Sequence, residues 1–221
     1  MEKMKDSKSV RAAVLKPIIL PKPKDTGGKT VMAAFRNRRT VRAIKDKELP
    51  IQLLSNLLWA GFGVNRKKGP FGTYGRTAAS ASNSQEIDLY VAMKEGAYLY
   101  DAFINELEPV YAGDLRKLAI NYGQKGAGAN APIRIIFVAD LDKYKTAGFQ
   151  EPGLKDPEVQ KSYYYAATGL IAGNVAIFAA SQGLTAWFHN CEKKDLAEKL
   201  KLRPAQKVLF AQTVGWPAKE S

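Results

Sequence analysis

The chain is poor in the residues most often used for side-chain chemistry. Of its 221 residues one is a cysteine, Cys191, and one a histidine, His189. A single cysteine excludes an intrachain disulfide and any thiolate cluster for zinc or iron–sulfur. A single histidine excludes the usual zinc sets and any Ser-His-Asp or Cys-His arrangement not built on His189. His189 and Cys191 lie two positions apart, which fits a half-buried structural pair better than a catalytic dyad. No G-x-G-x-x-G follows a strand-like segment and no G-x-x-x-x-G-K-[ST] occurs, so the common dinucleotide and P-loop folds are disfavoured. No stretch is read as spanning a membrane, and the first six residues hold no apolar segment of signal-peptide length. Cytoplasm is the default expectation, since a secretion signal already removed leaves no trace.

What is present is ordinary in bulk and unusual in charge. Hydrophobic residues make up 46% and charged residues 25%, as expected of a globular domain with a real core. The formal net charge is +13. Such a charge can attract a phosphorylated ligand, an anionic membrane or nucleic acid. The lysines are scattered, so a generally basic surface accounts for most of it.

Residues 1–26 read as an extended basic N-terminal arm, with Ile18, Ile19 and Leu20 hemmed in by Pro17, Pro21 and Pro23. Residues 27–221 read as one domain. A helix starting near Thr26 is expected to run through Phe35 to the arginines, placing Arg38 and Arg42 on one face. A second helix opens at Pro50, presents Ile51, Leu54, Leu57 and Leu58, and is ended by Gly61 and Gly63. Residues 65–84 form a loop, long enough to suggest a function. A strand at 87–93 turns at 94–97 into a returning strand from Tyr98. Further on come a helix at 114–120, a core strand at 133–139 and a long buried helix at 159–182. A strand at 184–188, a short helix at 193–200 and a closing strand at 207–214 follow. The hairpin between strands argues for an α+β domain: a mixed sheet flanked by helices, with a long central helix.

Two segments carry the chemistry. Arg36, Arg38, Arg39 and Arg42 put four guanidinium groups in seven positions, with Thr40 among them. Their planar forks suit phosphate, and a solvated basic patch is the plainer alternative. The segment has no interleaved aromatics for base stacking and matches no nucleic-acid module, so nucleic acid is disfavoured. The run Ser80-Ala81-Ser82-Asn83-Ser84-Gln85 offers hydroxyls and amides at the mouth of a strand. It suits the polar edge of a planar ring, or forms an ordinary turn. Trp187, Phe188, His189 and Asn190 sit at the end of another strand, where Trp187 or Phe188 can cover a ring. His189 or a backbone N–H can reach the ring's edge, although core packing is the simpler role for Trp187. Phosphate at one end and a heteroaromatic ring at the other point to a flavin.

The ordered set of motifs resembles the nitroreductase superfamily, particularly its SagB-type dehydrogenase branch. Arg38-Arg39-Thr40-Val41-Arg42 is similar to the family's Arg-x-Ser-x-Arg/Lys segment. Residues 79–85 are similar to its Pro-Ser-x-x-Asn-x-Gln segment, with Ala79 for proline. Residues 172–184 resemble the central helix and following turn, and Val214-Gly215-Trp216-Pro217 the closing Gly-Tyr-Pro. The resemblance implies a homodimer with FMN between subunits. It places Arg38, Arg39, Thr40 and Arg42 at the phosphate or pyrimidine side, with Lys219 as a further basic residue. It places Ser80, Ser82, Asn83 and Gln85 along the flavin, and His189 and Asn190 near N5, where many relatives carry Glu-Gly. The implied activity passes hydride from NADH or NADPH through FMN to a nitroaromatic, quinone or related small molecule. No catalytic side chain is assigned, because the cofactor carries the chemistry. A SagB-like dehydrogenase of a peptide azoline is the alternative within the family, and the basic loop at 65–76 could admit or exclude its substrate. Outside it stand a flavin-sequestering and a nucleic-acid-binding protein.

Overall fold

The structure, a computed structural model, describes residues 15–124, 126, 128 and 131–218. Strands β1 (Ile18–Ile19), β4 (Ile87–Ala92), β5 (Gly96–Asp101), β6 (Glu106–Ala112), β7 (Ile133–Asp140), β8 (Thr185–His189) and β9 (Gln206–Gly215) form one sheet. Its order is β1-β6-β5-β4-β7-β9-β8, and every pairing among the described residues is antiparallel. Helices α1 (Val31–Asn37), α2 (Ile51–Phe62), α3 (Pro157–Ser181) and α4 (Lys193–Lys199) flank it. The expected α+β class with a long central helix holds. A separate short hairpin pairs β2 (Val64–Arg66) with β3 (Gly75–Arg76) inside the stretch read as loop.

Period-two alternation gives the sheet two cores. Leu89, Val91, Ile133, Ile135 and Phe137 face α2 and α3, meeting Leu54, Leu57, Leu58, Ile171 and Val175. Tyr90, Ala92, Ile136 and Val138 face the other way, toward Leu196 of α4, its cap Leu200 and Leu115. Full burial of one leucine contributes about 1.5–3 kcal/mol, so both faces hold the sheet. By length and composition α3 could cross a membrane. Here it lies on the sheet, with Ile171, Val175 and Ala179 buried. Asp156 caps its first turn, accepting from the backbone N–H of Glu158 at 2.9 Å.

Four expectations need correction. α1 begins after its cap Thr30, whose hydroxyl accepts from the Ala33 N–H, and not near Thr26. It ends at Arg38, where the chain becomes extended, so Arg38 and Arg42 share no helix face. The Val41 N–H bonds to Thr185 Oγ1, drawing this segment along β8. Residues 114–120 make one turn and no helix, with the N–H groups of Leu118 and Ala119 both on the Leu115 carbonyl. The Arg116 carbonyl, which a helix would offer to Ile120, instead accepts from the buried Arg134 guanidinium. Finally, Gly61 does not end α2 but lies inside it, and Gly63 is the cap.

Candidate functional site

The clearest built feature outside the core is the turn between β3 and β4. Ser82, Asn83 and Gln85 all adopt left-handed backbone, with φ of 50°, 51° and 51°. Each costs free energy for a residue with a Cβ, of order 1 kcal/mol or more, and such turns persist only where surrounding bonds enforce them. Those bonds are present. The Gln85 N–H donates to Ser80 Oγ at 2.9 Å, and the Gln85 side-chain amide donates to the Tyr74 carbonyl at 2.7 Å. Asn83 Nδ2 donates to Thr73 Oγ1 and to the Tyr74 carbonyl. Arg76 Nε donates to Gln85 Oε1 at 2.6 Å. Below the turn Glu86 is fully buried, with Oε2 accepting from Ser84 Oγ at 2.7 Å. Burial raises its pKa above the usual carboxylate value, against the pull of the Ser84 hydrogen bond.

The turn walls a cleft of about 770 Å³ together with Arg76, Phe71, Phe149 and Tyr163. Phe71 and Phe149 stack at its rim, ring centroids 5.4 Å apart, and are 56% and 51% exposed. Phe71 is again left-handed, with φ 58°. A second cleft of about 490 Å³ lies beyond Arg76 and Asn83 and carries Tyr74, Phe103 and Lys143. Arg76 divides the two. Its guanidinium sits 4.9 Å from the Phe62 ring centre and 4.7 Å from that of Phe103, and Nη1 donates to the Phe62 carbonyl. Burial lowers its pKa, an effect opposed from a distance by Tyr100, Asp88 and Asp101.

The arginine segment lies elsewhere. Arg39 lines a recess of about 120 Å³ with Lys29, Asn37, Gly183 and Thr185. Beside it, residues 41–45 follow the end of β9: the Lys45 N–H bonds to the Trp216 carbonyl, and the Ala218 N–H to that of Ala43. Lys219, the next residue, lies outside the described residues. Arg42 places its guanidinium 5.1 Å from the ring centre of the buried Trp187. The first recess touches Ala180 near the end of α3, whereas the larger cleft touches Tyr163 near its start. Seventeen residues of helix separate these positions, about 25 Å at 1.5 Å per residue. Within one chain the arginine segment and the Ser80–Gln85 turn therefore do not share a pocket.

At the end of β8, Phe188 and Asn190 are exposed and His189 is buried. Both histidine nitrogens are engaged, Nδ1 with the Asn190 carbonyl at 2.8 Å and Nε2 with Thr213 Oγ1 at 2.7 Å. Burial, reinforced by the Arg134 charge and opposed by the Asn190 bond, lowers its pKa to about 4. Cys191 is buried in the other core, and burial pushes its thiol up to about 12. No dyad forms. Sequence reasoning singled out neither Arg76 nor the aromatic pair, because a lone arginine and two phenylalanines 78 positions apart carry no spacing signal.

The chain matches the sequence profile of the Nitroreductase family over residues 35–216. A crystal structure of a candidate nitroreductase from Ralstonia eutropha JMP134 superposes with a TM-score of 0.78 at 32% identity, covering 93% of this chain and 91% of its own. A candidate nitroreductase of Methanocaldococcus jannaschii is 26% identical over 153 residues, 64% of this chain and 75% of the relative. A chain of the E. coli microcin synthetase McbBCD complex shares the fold at 16% identity, with a TM-score of 0.66 over 91% of this chain and 78% of its own. Fold and sequence agree: the chain belongs to the Nitroreductase family.

Proposed function

We propose that this chain is an FMN-dependent oxidoreductase that moves electrons from NADH or NADPH to a small-molecule acceptor such as a nitroaromatic or quinone. The observation that carries the reading is the strained Ser82–Gln85 turn, held against a 770 Å³ cleft in a member of this family. Backbone strain is commonly kept where side chains must be aimed at a ligand. The donor set fits a flavin. Ser80 and Ser82 present hydroxyls on the cleft wall to a polar ring edge, the Asn83 and Gln85 amides hold the turn that aims them, and Arg38, Arg39, Thr40 and Arg42, with Lys219, suit its phosphate. His189 and Asn190 contribute through the backbone, since the His189 ring is turned inward. Bound FMN would supply hydride acceptance and donation at N5.

The separation of the two segments along α3 supports a homodimer in which each flavin lies between subunits, taking arginines from one chain and the turn from the other. The outer face of α3 favours close approach of a second copy. Gly169 and Gly173 lie one turn apart there, and a Cβ at either would meet open space, while Leu170 between them is exposed. On α1, Val31, Met32 and Phe35 are also exposed. Purified protein should be incubated with FMN, gel-filtered and scanned in the visible. Retained flavin absorbance that bleaches with NADH or NADPH is the expected result; a colourless protein at low and moderate salt sinks the reading.

A second reading, dehydrogenation of a peptide azoline as in the SagB-type branch, draws on the fold shared with the microcin synthetase complex, which was solved with truncated pro-MccB17 bound. Azole formation from an azoline peptide without added NAD(P)H would select it.

A further inference from the structure

The two clefts share a cation that no carboxylate neutralises by contact. Arg76 is half-buried, and no ion pair among the described residues includes it. Its hydrogen bonds go to neutral acceptors, Gln85 Oε1 and the Phe62 carbonyl, and its faces to the rings of Phe62 and Phe103. The nearby carboxylates are committed elsewhere. Asp88 pairs with Lys143, and Asp101 accepts from the N–H groups of Phe103 and Ile104. Removing a charge from water without a partner is costly, so such a guanidinium is poised for an anion brought by a ligand.

The surroundings define what carries that anion. Among the described residues the side chain of Arg66, exposed on the wall of the larger cleft, hydrogen-bonds the neutral Asn65 side chain and no carboxylate. Lys67 and Lys68 follow it on the surface. Phe71 and Phe149 present half-exposed ring faces at the same mouth. Glu151, the carboxylate of this cleft, accepts from Ser82 Oγ and from Tyr163, and its charge turns an anionic group away from that side.

We propose that the cleft selects an electron acceptor that is a planar aromatic bearing an anionic group, its ring against Phe71 and Phe149 and its charge toward Arg76 and Arg66. Arg76 and Arg66 are then specificity residues for the second reactant. The proposal rests on the flavin reading of the same cleft, which supplies the reason for an acceptor to enter it. A planar fork suits a carboxylate or sulfonate through paired hydrogen bonds, and an aromatic ring, with its negative face and positive edge, packs offset or edge-on against the faces of Phe71 and Phe149.

The probes are 4-nitrobenzoate and its neutral methyl ester, measured on the full chain by calorimetric titration with and without FMN, and by kcat/KM with NAD(P)H. The wild type is expected to favour the acid about tenfold or more, less so at high salt. Arg76→Gln and Arg66→Gln should each lower the acid-to-ester ratio severalfold, a comparison that cancels the different reactivities of the two nitro groups. Equal affinity for acid and ester in the wild type overturns the proposal. So does a ratio that stays put in both variants, including the case where Arg76→Gln lowers FMN retention alone and thereby belongs to the cofactor. If Arg76→Gln does not fold, the exposed Arg66→Gln decides. Failure of the flavin reading shows separately, as a protein that holds no FMN, while the titrations still test the anion site.

Discussion

At the scale of single residues, hydrogen-bond accounting fixes the protonation of the buried histidine. Arg134 Nε donates to Thr213 Oγ1 at 3.1 Å, so the one hydroxyl proton of Thr213 is free to point at His189 Nε2. Nε2 therefore accepts and Nδ1 carries the proton, which it donates to the Asn190 carbonyl. Adding a second proton would turn Nε2 into a donor, push the Thr213 hydroxyl proton away from its partner and place a cation beside Arg134, which is itself fully buried and lowered by burial to about 10. The consequence for stability has a definite sign. Below pH 6.5 the unfolded chain takes up a proton at this position, and the folded chain refuses it down to about pH 4. The stability is complete above pH 6.5 and declines as pH falls through that window. The decline attributable to His189 is about 3 kcal/mol, from a difference of roughly 1.4 kcal/mol per pH unit. In His189→Gln this part of the acid slope should vanish. Urea midpoints at several pH values between 4 and 7 would show it, and parallel slopes for the two proteins would refute the assignment.

At the scale of elements, the packing of α2 against α3 depends on a missing side chain at Gly61. A Cβ built on Gly61 would lie 2.9 Å from Val175 Cγ2 on α3. Gly61→Ala should therefore cost about 1–3 kcal/mol despite the better helix propensity of alanine. Val175→Ala in the same chain should recover part of that loss, a coupling that thermal unfolding of the two singles and the double can measure. Additive losses would mean the two helices simply move apart. The sequence shows Gly61 but not this role, because an apolar helix ending in two glycines looks like a terminus. α2, by its apolar side, and β7 and α3, by their long apolar runs, are legible from their own residues. β6 is not: Glu106, Glu108 and Pro109 hide a strand in which Pro109 sits opposite Tyr98 at a bulge. The turn at 114–120 is misread for a related reason. Its helix-like pattern is real, with Leu115, Ala119 and Ile120 buried, but a distant arginine takes the carbonyl the helix needs. The same limit applies to the site. Ser80–Gln85 stands out by composition, whereas Arg76 gains its meaning only once Phe62, Phe103 and Gln85 close around it.

At the scale of the whole molecule, the distance between the two candidate segments becomes a statement about assembly. If each flavin takes the arginine segment of one subunit and the Ser80–Gln85 turn of its partner, defects in the two segments should complement. Arg38→Ala and Asn83→Ala homodimers should each lose most retained FMN, through a weakened phosphate grip and a loosened turn. In a heterodimer of the two variants both substitutions fall on one site, and the other site is built entirely from unaltered residues. Co-expression with random pairing makes half the dimers mixed, so about a quarter of all sites should be restored. Recovery of FMN absorbance near that fraction, in a species that sediments as a dimer, is the expected outcome. A single-chain site predicts none, because each chain would carry one defect of its own. The experiment therefore separates a cofactor held in trans from one held in cis, and an absence of recovery in well-mixed dimers would return the flavin to the individual chain.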